Sequence, residues 1–157
     1  MKEQIKEIKP GFGLGNIKFG MTKDQVRMLL GAPDENETFS YTGDGLNMTE
    51  SWDYYDFDIS LNFDEDDHWK LVMISANSDF YTLDGASLIG QTVEQISAYL
   101  DKQKAEYELE DCSSIDSPDH KLIEVDSLSI NFWFNGGVLD EIQWSPQFLD
   151  DDTIKWP

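Results

Sequence analysis

The chain has 157 residues, of which 32 are Asp or Glu and 11 are Lys or Arg, giving a formal net charge of −21. Hydrophobic residues make up 39% and aromatics 13%, which excludes a disordered chain and fits one domain or two small halves sharing a core. The charge repels phosphate backbones and anionic lipid surfaces and favours a basic partner or a metal cation, with plain solubility as the alternative account of it. The single cysteine, Cys112, cannot form an internal disulfide, which suits a reducing compartment.

At the start of the chain, Ile5 and Ile8 stand three apart and predict one helical turn ended by Pro10. Gly11-Phe12-Gly13-Leu14-Gly15 follows. A glycine loop that cradles phosphate needs a strand before it and a helix directly after it. Neither is in place, so the segment reads as a flexible lead-in. The opening MKEQIKEIKPGFG has no apolar run to serve as a signal-peptide core. No stretch approaches the roughly 20 apolar residues of a membrane helix, so a cytoplasmic protein is expected.

The first strong element is Gly20–Gly31, GMTKDQVRMLLG. Thr22 is an N-cap, Gln25 completes a capping box, and Val26, Leu29 and Leu30 form one apolar stripe. Gly31 ends the helix and Pro33 prevents a restart. The same writing recurs in Gly90–Leu100, GQTVEQISAYL, where Gly90, Thr92, Gln95, Ile96 and Leu100 repeat Gly20, Thr22, Gln25, Val26 and Leu30 at an offset of 70.

Between the helices, Asp34–Met48 reads as a polar loop with a Gly43-Asp44-Gly45 turn. Thr49–Tyr55, Phe57–Phe63 and Leu71–Ala76 read as three antiparallel strands, with Asp64-Glu65-Asp66-Asp67-His68 as a hairpin tip. Asp79–Ser87 links the halves. After the second helix comes the acidic segment Lys102–Pro118, with Tyr107 and Leu109 as a candidate edge strand. Lys121–Val125, Leu128–Phe134 and Leu139–Trp144 repeat the strand trio, with Asn135-Gly136-Gly137 as a hairpin turn. Ile59–Phe63 aligns with Leu128–Phe132 at an offset of 69, and Ile74 with Ile142 at 68.

The expected fold class is therefore α+β, a single domain of two tandem repeats, each a helix plus a three-stranded antiparallel meander. The repeats run from about 12 to 79 and from about 80 to 147, followed by an acidic tail over 148–157. Both helices should cover one sheet face and leave the other open. The expected core is Val26, Leu29, Leu30, Ile59, Leu61, Phe63, Ile74, Ile96, Leu100, Leu128, Ile130, Phe132 and Ile142.

Catalysis requires converging groups, and the sequence offers few. His68 and His120 are the only histidines, both in turns. Cys112 lies among acids, which disfavour its thiolate. The Asp64–His68 run lacks the glycine and distant closing Glu of a calcium loop and reads as a charged tip. No catalytic residue, metal site or cofactor is expected. Nucleic-acid binding is not expected either, for want of a basic patch, although carboxylates can mimic nucleic acid.

Strand alternation assigns the open face. It carries Ser60, Asn62, Ser129, Asn131 and Trp133, joined by Asp53, Tyr55, Met73, Glu141 and Gln143. An exposed Trp and Tyr among small polar residues and acids is the composition of a protein-binding surface. The alternative is that Trp133 covers a gap under the Asp150–Trp156 tail.

The pattern Gly-x-Thr-x-acid-Gln-(Val/Ile)-x-x-x-Leu, then a loop and a meander, resembles the fold shared by two families. Gly20-Met21-Thr22, Gln25-Val26 and Leu30-Gly31-Ala32-Pro33 are similar to the helix of the small lipoprotein of the outer-membrane barrel-assembly machinery. The double copy resembles the β-lactamase inhibitor protein family. The likeness spans most of Gly15–Trp144 and implies a broad sheet face that grips another protein. The expected departures from both families are the signal peptide, the disulfide pair and the lipobox, since Leu109-Glu110-Asp111-Cys112 shares only its Leu and Cys with that motif. Small acidic cytoplasmic immunity proteins, which neutralise a toxin of their own strain, match the class and charge. The expected function is an inhibitor or immunity-type protein that neutralises a basic partner through its open face. The alternatives are an adaptor, a small-molecule-binding or enzymatic domain with a site between the repeats, and a DNA mimic.

Overall fold

In the computed structural model, which describes residues 2–40, 43 and 45–157, both capping boxes form as the sequence specifies. Thr22 Oγ1 accepts from the Gln25 backbone and the Gln25 side chain accepts from the Thr22 N–H, starting α1 (Lys23–Leu30). Thr92 and Gln95 do the same for α2 (Val93–Lys102). Each helix buries a short stripe, Val26 and Leu30 in α1 and Ile96 and Leu100 in α2. Among the described residues no helix is long and apolar enough to cross a membrane.

The chain opens with a 3-10 turn (Lys2–Ile5) and three short strands, β1 (Ile8–Lys9), β2 (Gly13–Leu14) and β3 (Ile17–Lys18), which form a small antiparallel sheet. The Gly11–Gly15 segment is thus a fixed element and not a flexible lead-in. A Cβ on Gly13 would stand 2.0 Å from Ile17 O, and one on Gly15 2.0 Å from Gln4 O, so only glycine fits this close backbone approach. Trp144 Nε1 donates to Gly13 O at 3.0 Å and ties the segment to the far half of the chain.

The rest is mainly β. After α1 come β4 (Glu35–Ser40), β5 (Met48–Tyr54), β6 (Ile59–Asp64) and β7 (Lys70–Ala76), and after α2 come β8 (Glu108–Asp111), β9 (His120–Val125), β10 (Ile130–Asn135) and β11 (Val138–Trp144). They form one antiparallel sheet of eight strands in the order β4-β5-β6-β7-β11-β10-β9-β8. Strands β12 (Gln147–Phe148) and β13 (Ile154–Lys155) pair in the tail. This overturns the expected α+β fold of two helix-plus-three-strand repeats: strand outweighs helix, and each half places four strands in a single continuous sheet. The missed strand is β4. Its residues Glu35–Thr38 are all exposed, so an edge strand of this kind shows no alternation to read. Asp44, the centre of the expected Gly43–Gly45 turn, lies outside the described residues.

Register makes the duplication visible. In β5 and β6 the pairs Ser51↔Asn62, Trp52↔Leu61 and Asp53↔Ser60 match Leu122↔Trp133, Ile123↔Phe132 and Glu124↔Asn131 in β9 and β10, each position displaced by 71. In β7 and β11, Met73↔Asn62 and Leu71↔Phe63 match Glu141↔Trp133 and Leu139↔Phe134, with β7 positions displaced by 68. Both hairpins carry a bulge at the same place, leaving Val72 and Asp140 as the extra residues. Gly20 N donates to Leu71 O and Leu71 N to Met21 O, just as Gly90 N donates to Leu139 O and Leu139 N to Gln91 O. The Ile59–Phe63 to Leu128–Phe132 alignment is therefore two residues out. Leu128 lies in a 3-10 turn (Asp126–Leu128) that Ser129 ends in a left-handed conformation.

A slip of two preserves which side chains face inward, so the expected core is nearly right. Val26, Leu30, Ile59, Leu61, Phe63, Ile74, Ile96, Leu100, Ile130, Phe132 and Ile142 are buried in one cluster, with Leu29 and Leu128 half-buried against it. Trp52, Trp144, Tyr81 and the N-terminal Ile5, Ile8, Leu14, Ile17 and Phe19 complete it. Both helices and the small sheet thus cover the same face of the large sheet. Leu61 has no exposure at all and pairs between Trp52 and Ile74. Leu61→Ala should cost about 2–5 kcal/mol, read as a lower denaturant midpoint at unchanged slope. A loss under about 1 kcal/mol would contradict this burial.

Candidate functional site

The face opposite the helices is built by strand alternation. One row crosses its middle: Asp53, Ser60, Ser75, Gln143, Asn131 and Glu124 stand side by side on successive strands. The two repeats meet within this row, where β7 and β11 pair through Ala76↔Ile142, Ser75↔Gln143 and Ile74↔Trp144. Because residues 74, 75 and 76 correspond to 142, 143 and 144 at the 68-residue displacement, the pseudo-two-fold axis passes through the Ser75–Gln143 pair. Polar contacts hold the row: Ser60 Oγ donates to Asp53 at 2.5 Å, Gln143 Nε2 to Ser75 Oγ at 3.5 Å, and Trp133 Nε1 to Gln143 Oε1 at 3.3 Å.

At one end of the face lies a shallow trough. One part, of about 290 Å³, is lined by Asp53, Tyr54, Tyr55, Asp58, Ile59, Ser60, Ser75, Asn77 and Glu141. The adjoining part, of about 330 Å³, is lined by Asn77, His120, Trp133, Asp140 and Glu141. Asn77 and Glu141 are shared. Four carboxylates line the whole, and no Lys or Arg does. Two aromatics flank it. Tyr55 is 59% exposed, and its backbone N–H donates to Asp34 at 2.8 Å. Its hydroxyl donates to Glu35, and that hydrogen bond, with the surrounding carboxylates, pushes its pKa up to about 12. Trp133 is half-buried, with the His120 ring 5.2 Å away and tilted by 30°.

Of the ten expected surface residues, the structure brings Asp53, Tyr55, Ser60, Trp133 and Glu141 to the trough and sets Asn131 and Gln143 beside it in the central row. Asn62 and Met73 share the face but lie toward its other end, with Asn62 Nδ2 donating to Met73 Sδ at 3.8 Å. Ser129 belongs to no strand: it caps the Asp126–Leu128 turn, and its carbonyl accepts from Ser145 N. Asp58, Ser75, Asn77, Asp140 and His120 were missed, Ser75 although strand alternation places it on this face. Asp58 and Asn77 sit just past strand ends, and Asp140 is the bulge residue, where alternation predicts no face. The tail does not roof Trp133. Trp156 lies near Gly20, whose added Cβ would come within 3.1 Å of its ring, and 5.4 Å from Lys70 Nζ.

Elsewhere on the same face, at the β8 edge, Glu108, Glu110 and Glu124 bring carboxylate oxygens within 4.8 Å of one another. Burial and the neighbouring Glu110, Asp126 and Glu108 push the Glu124 carboxyl up. It is the one such three-residue group among the described residues, and the Asp64–His68 tip is not part of it. That tip is a 3-10 turn (Glu65–Asp67) closed by His68 in a left-handed conformation.

Burial pushes the Glu141 carboxyl above its ordinary value, neighbouring Asp140 adds to this, and His120 opposes it. The folded state therefore binds a proton at Glu141 more readily than the unfolded chain, and stability falls as pH rises through the window above the ordinary value of 4.5. Above that window the charged, half-buried carboxylate costs stability, and below 4.5 both states are protonated and the cost vanishes. Glu141→Gln should thus raise the melting temperature at about pH 7 and lose most of that advantage at about pH 4. A variant equally or less stable than the wild type at about pH 7 would contradict the assignment.

No protein-family model matches the chain, and no curated protein or solved structure gives a significant match.

Proposed function

We propose that this is a non-enzymatic binding protein of the inhibitor or immunity type, working in the cytoplasm, whose open sheet face takes a basic protein partner. The observation that carries this reading is the trough: Asp53, Asp58, Asp140 and Glu141 beside Tyr55 and Trp133, with no Lys or Arg in the lining. Aromatic anchors beside uncompensated carboxylates suit a cationic protein surface. They are the residue types that dominate interface energetics when a partner desolvates them. The broad antiparallel sheet adds a rigid platform, since side chains on strands hold their spacing better than side chains on loops. The resemblance to the tandem-repeat inhibitor family supports the same mode of action, a sheet face gripping another protein.

The net charge of −21 adds long-range steering. Attraction to a basic partner extends over roughly 30 Å at about 0.01 M ionic strength and shortens to about 8 Å at physiological salt. The partner is to be captured from lysate at low salt and identified by mass spectrometry. Its association rate should then fall at least about tenfold between dilute and physiological salt. A rate independent of salt would count against a basic partner.

The face itself is tested by substitution. Trp133→Ala, Tyr55→Ala and Asp53→Ala should each leave the fold intact by circular dichroism, and at least one should weaken binding by about 2 kcal/mol or more. If all three bind as wild type while changes in Asp34–Met48 or Lys102–Pro118 abolish binding, the open face is not the contact surface.

A further inference from the structure

The two repeats make the open face nearly symmetric in backbone, which allows its two ends to be compared position by position. At one end stand Tyr55, Asp58, His120, Trp133, Asp140 and Glu141. The pseudo-two-fold places Asp126, Ser129, Thr49, Asn62, Val72 and Met73 at the corresponding positions of the other end, by the same displacements of 71 and 68 that relate the strands. The correspondence holds even off the strands, since Asp58 and Ser129 share a left-handed backbone at φ +54 and +54. At these six positions one end carries three carboxylates and two large aromatics and the other one carboxylate and no aromatic, the further carboxylates near Asp126 being those of Glu108, Glu110 and Glu124 at the β8 edge. The backbone does not demand this difference, because the same backbone is built at the other end without it.

We infer that the Trp133 end of the open face is an arginine-binding subsite, in which a guanidinium of the partner stacks on the Trp133 ring and pairs with the Glu141 carboxylate. This rests on the reading of the open face as the contact surface. Arginine fits better than lysine for three reasons. A planar guanidinium stacks on an indole, where an ammonium makes only a point contact. Its weaker hydration lowers the cost of entering a half-buried site. Its fork of N–H groups can meet one carboxylate with two hydrogen bonds, and Glu141, Asp140 and Asp58 offer several acceptors around one trough. The adjoining volume of about 330 Å³ is open to a single extended side chain.

The test uses the full chain labelled with nitrogen-15 and two capped peptides, Gly-Arg-Arg-Gly and Gly-Lys-Lys-Gly, titrated at low salt. The Trp133 indole N–H and the amides of Asn77 and Glu141 should shift saturably with the arginine peptide, at an affinity several-fold above that of the lysine peptide. Glu141→Gln should weaken the arginine peptide roughly tenfold. Asp126→Asn, which removes one charge at the other end, where Asp126 is the counterpart of Tyr55, should leave the affinity within about twofold. If Glu141→Gln perturbs the fold, Asp140→Asn at the exposed bulge replaces it, with the expected loss about threefold. Shifts spread evenly over the acidic surface, shifts centred on Met73 and Asn62, or equal affinities for the two peptides would overturn the subsite. Each of these outcomes leaves the protein-binding reading standing if the captured partner still depends on Trp133, Tyr55 or Asp53. A partner indifferent to all three overturns that reading instead, whatever the peptides do.

Discussion

The whole architecture depends on one short seam, the antiparallel pairing of β7 with β11 through Ala76↔Ile142, Ser75↔Gln143 and Ile74↔Trp144. Each half of the chain ends its meander on one of these strands. Without the seam each meander would present a long unpaired edge, a site for unwanted strand addition. With it, the two innermost strands satisfy each other, and the remaining edges are β4 and β8, laden with Glu35, Glu37, Glu108 and Glu110. Repelling charges protect such edges from further pairing. The seam also merges two small hydrophobic surfaces into one core. Ile74 and Ile142 are each almost wholly buried, and Trp144 reaches from the seam to the N-terminal Gly13 carbonyl.

Joining two copies tail to tail has a consequence for function. The inner face must hold Val26, Leu30, Ile96 and Leu100 against the sheet, so its residue types are constrained twice over. The outer face has no such duty beyond staying soluble. Its two ends differ there, with Trp133 beside Glu141 at one and Asn62 beside Met73 at the equivalent positions of the other. A half-buried carboxylate whose protonation burial favours, as at Glu141, is a cost to the free protein. A cation placed against it would offset that cost, which is why such groups so often mark binding surfaces.

How much of this was legible in the sequence varies with the physical signal. Capping boxes are local and carry their own chemistry, so Thr22–Gln25 and Thr92–Gln95 located both helices. Period-two alternation around Leu61 and Phe132 separated the two faces. Because a slip of two keeps parity, the mistaken 69-residue alignment still sent Trp133 and Ser60 to the open side. It misleads at Leu128 and Ser129, which lie in and at the end of a 3-10 turn before the strand begins at Ile130. The fourth strand of each half left a weaker trace. Glu35–Ser40 owes its conformation to pairing with β5, a tertiary cause that no local pattern records. The trough was half legible. Asp53, Tyr55, Trp133 and Glu141 follow from alternation, whereas Asp58, Asn77 and Asp140 enter it from a turn, a strand end and a bulge.

The most direct test of a cationic contact at the Trp133 end is carboxyl labelling of the free protein and of its complex with the captured partner, read residue by residue by mass spectrometry. Asp58, Asp140 and Glu141 should be protected in the complex, while Asp126 and the tail Asp150–Asp152 label as before. Protection confined to the tail or to Glu106–Asp111, with the trough carboxylates still labelling freely, would contradict the account.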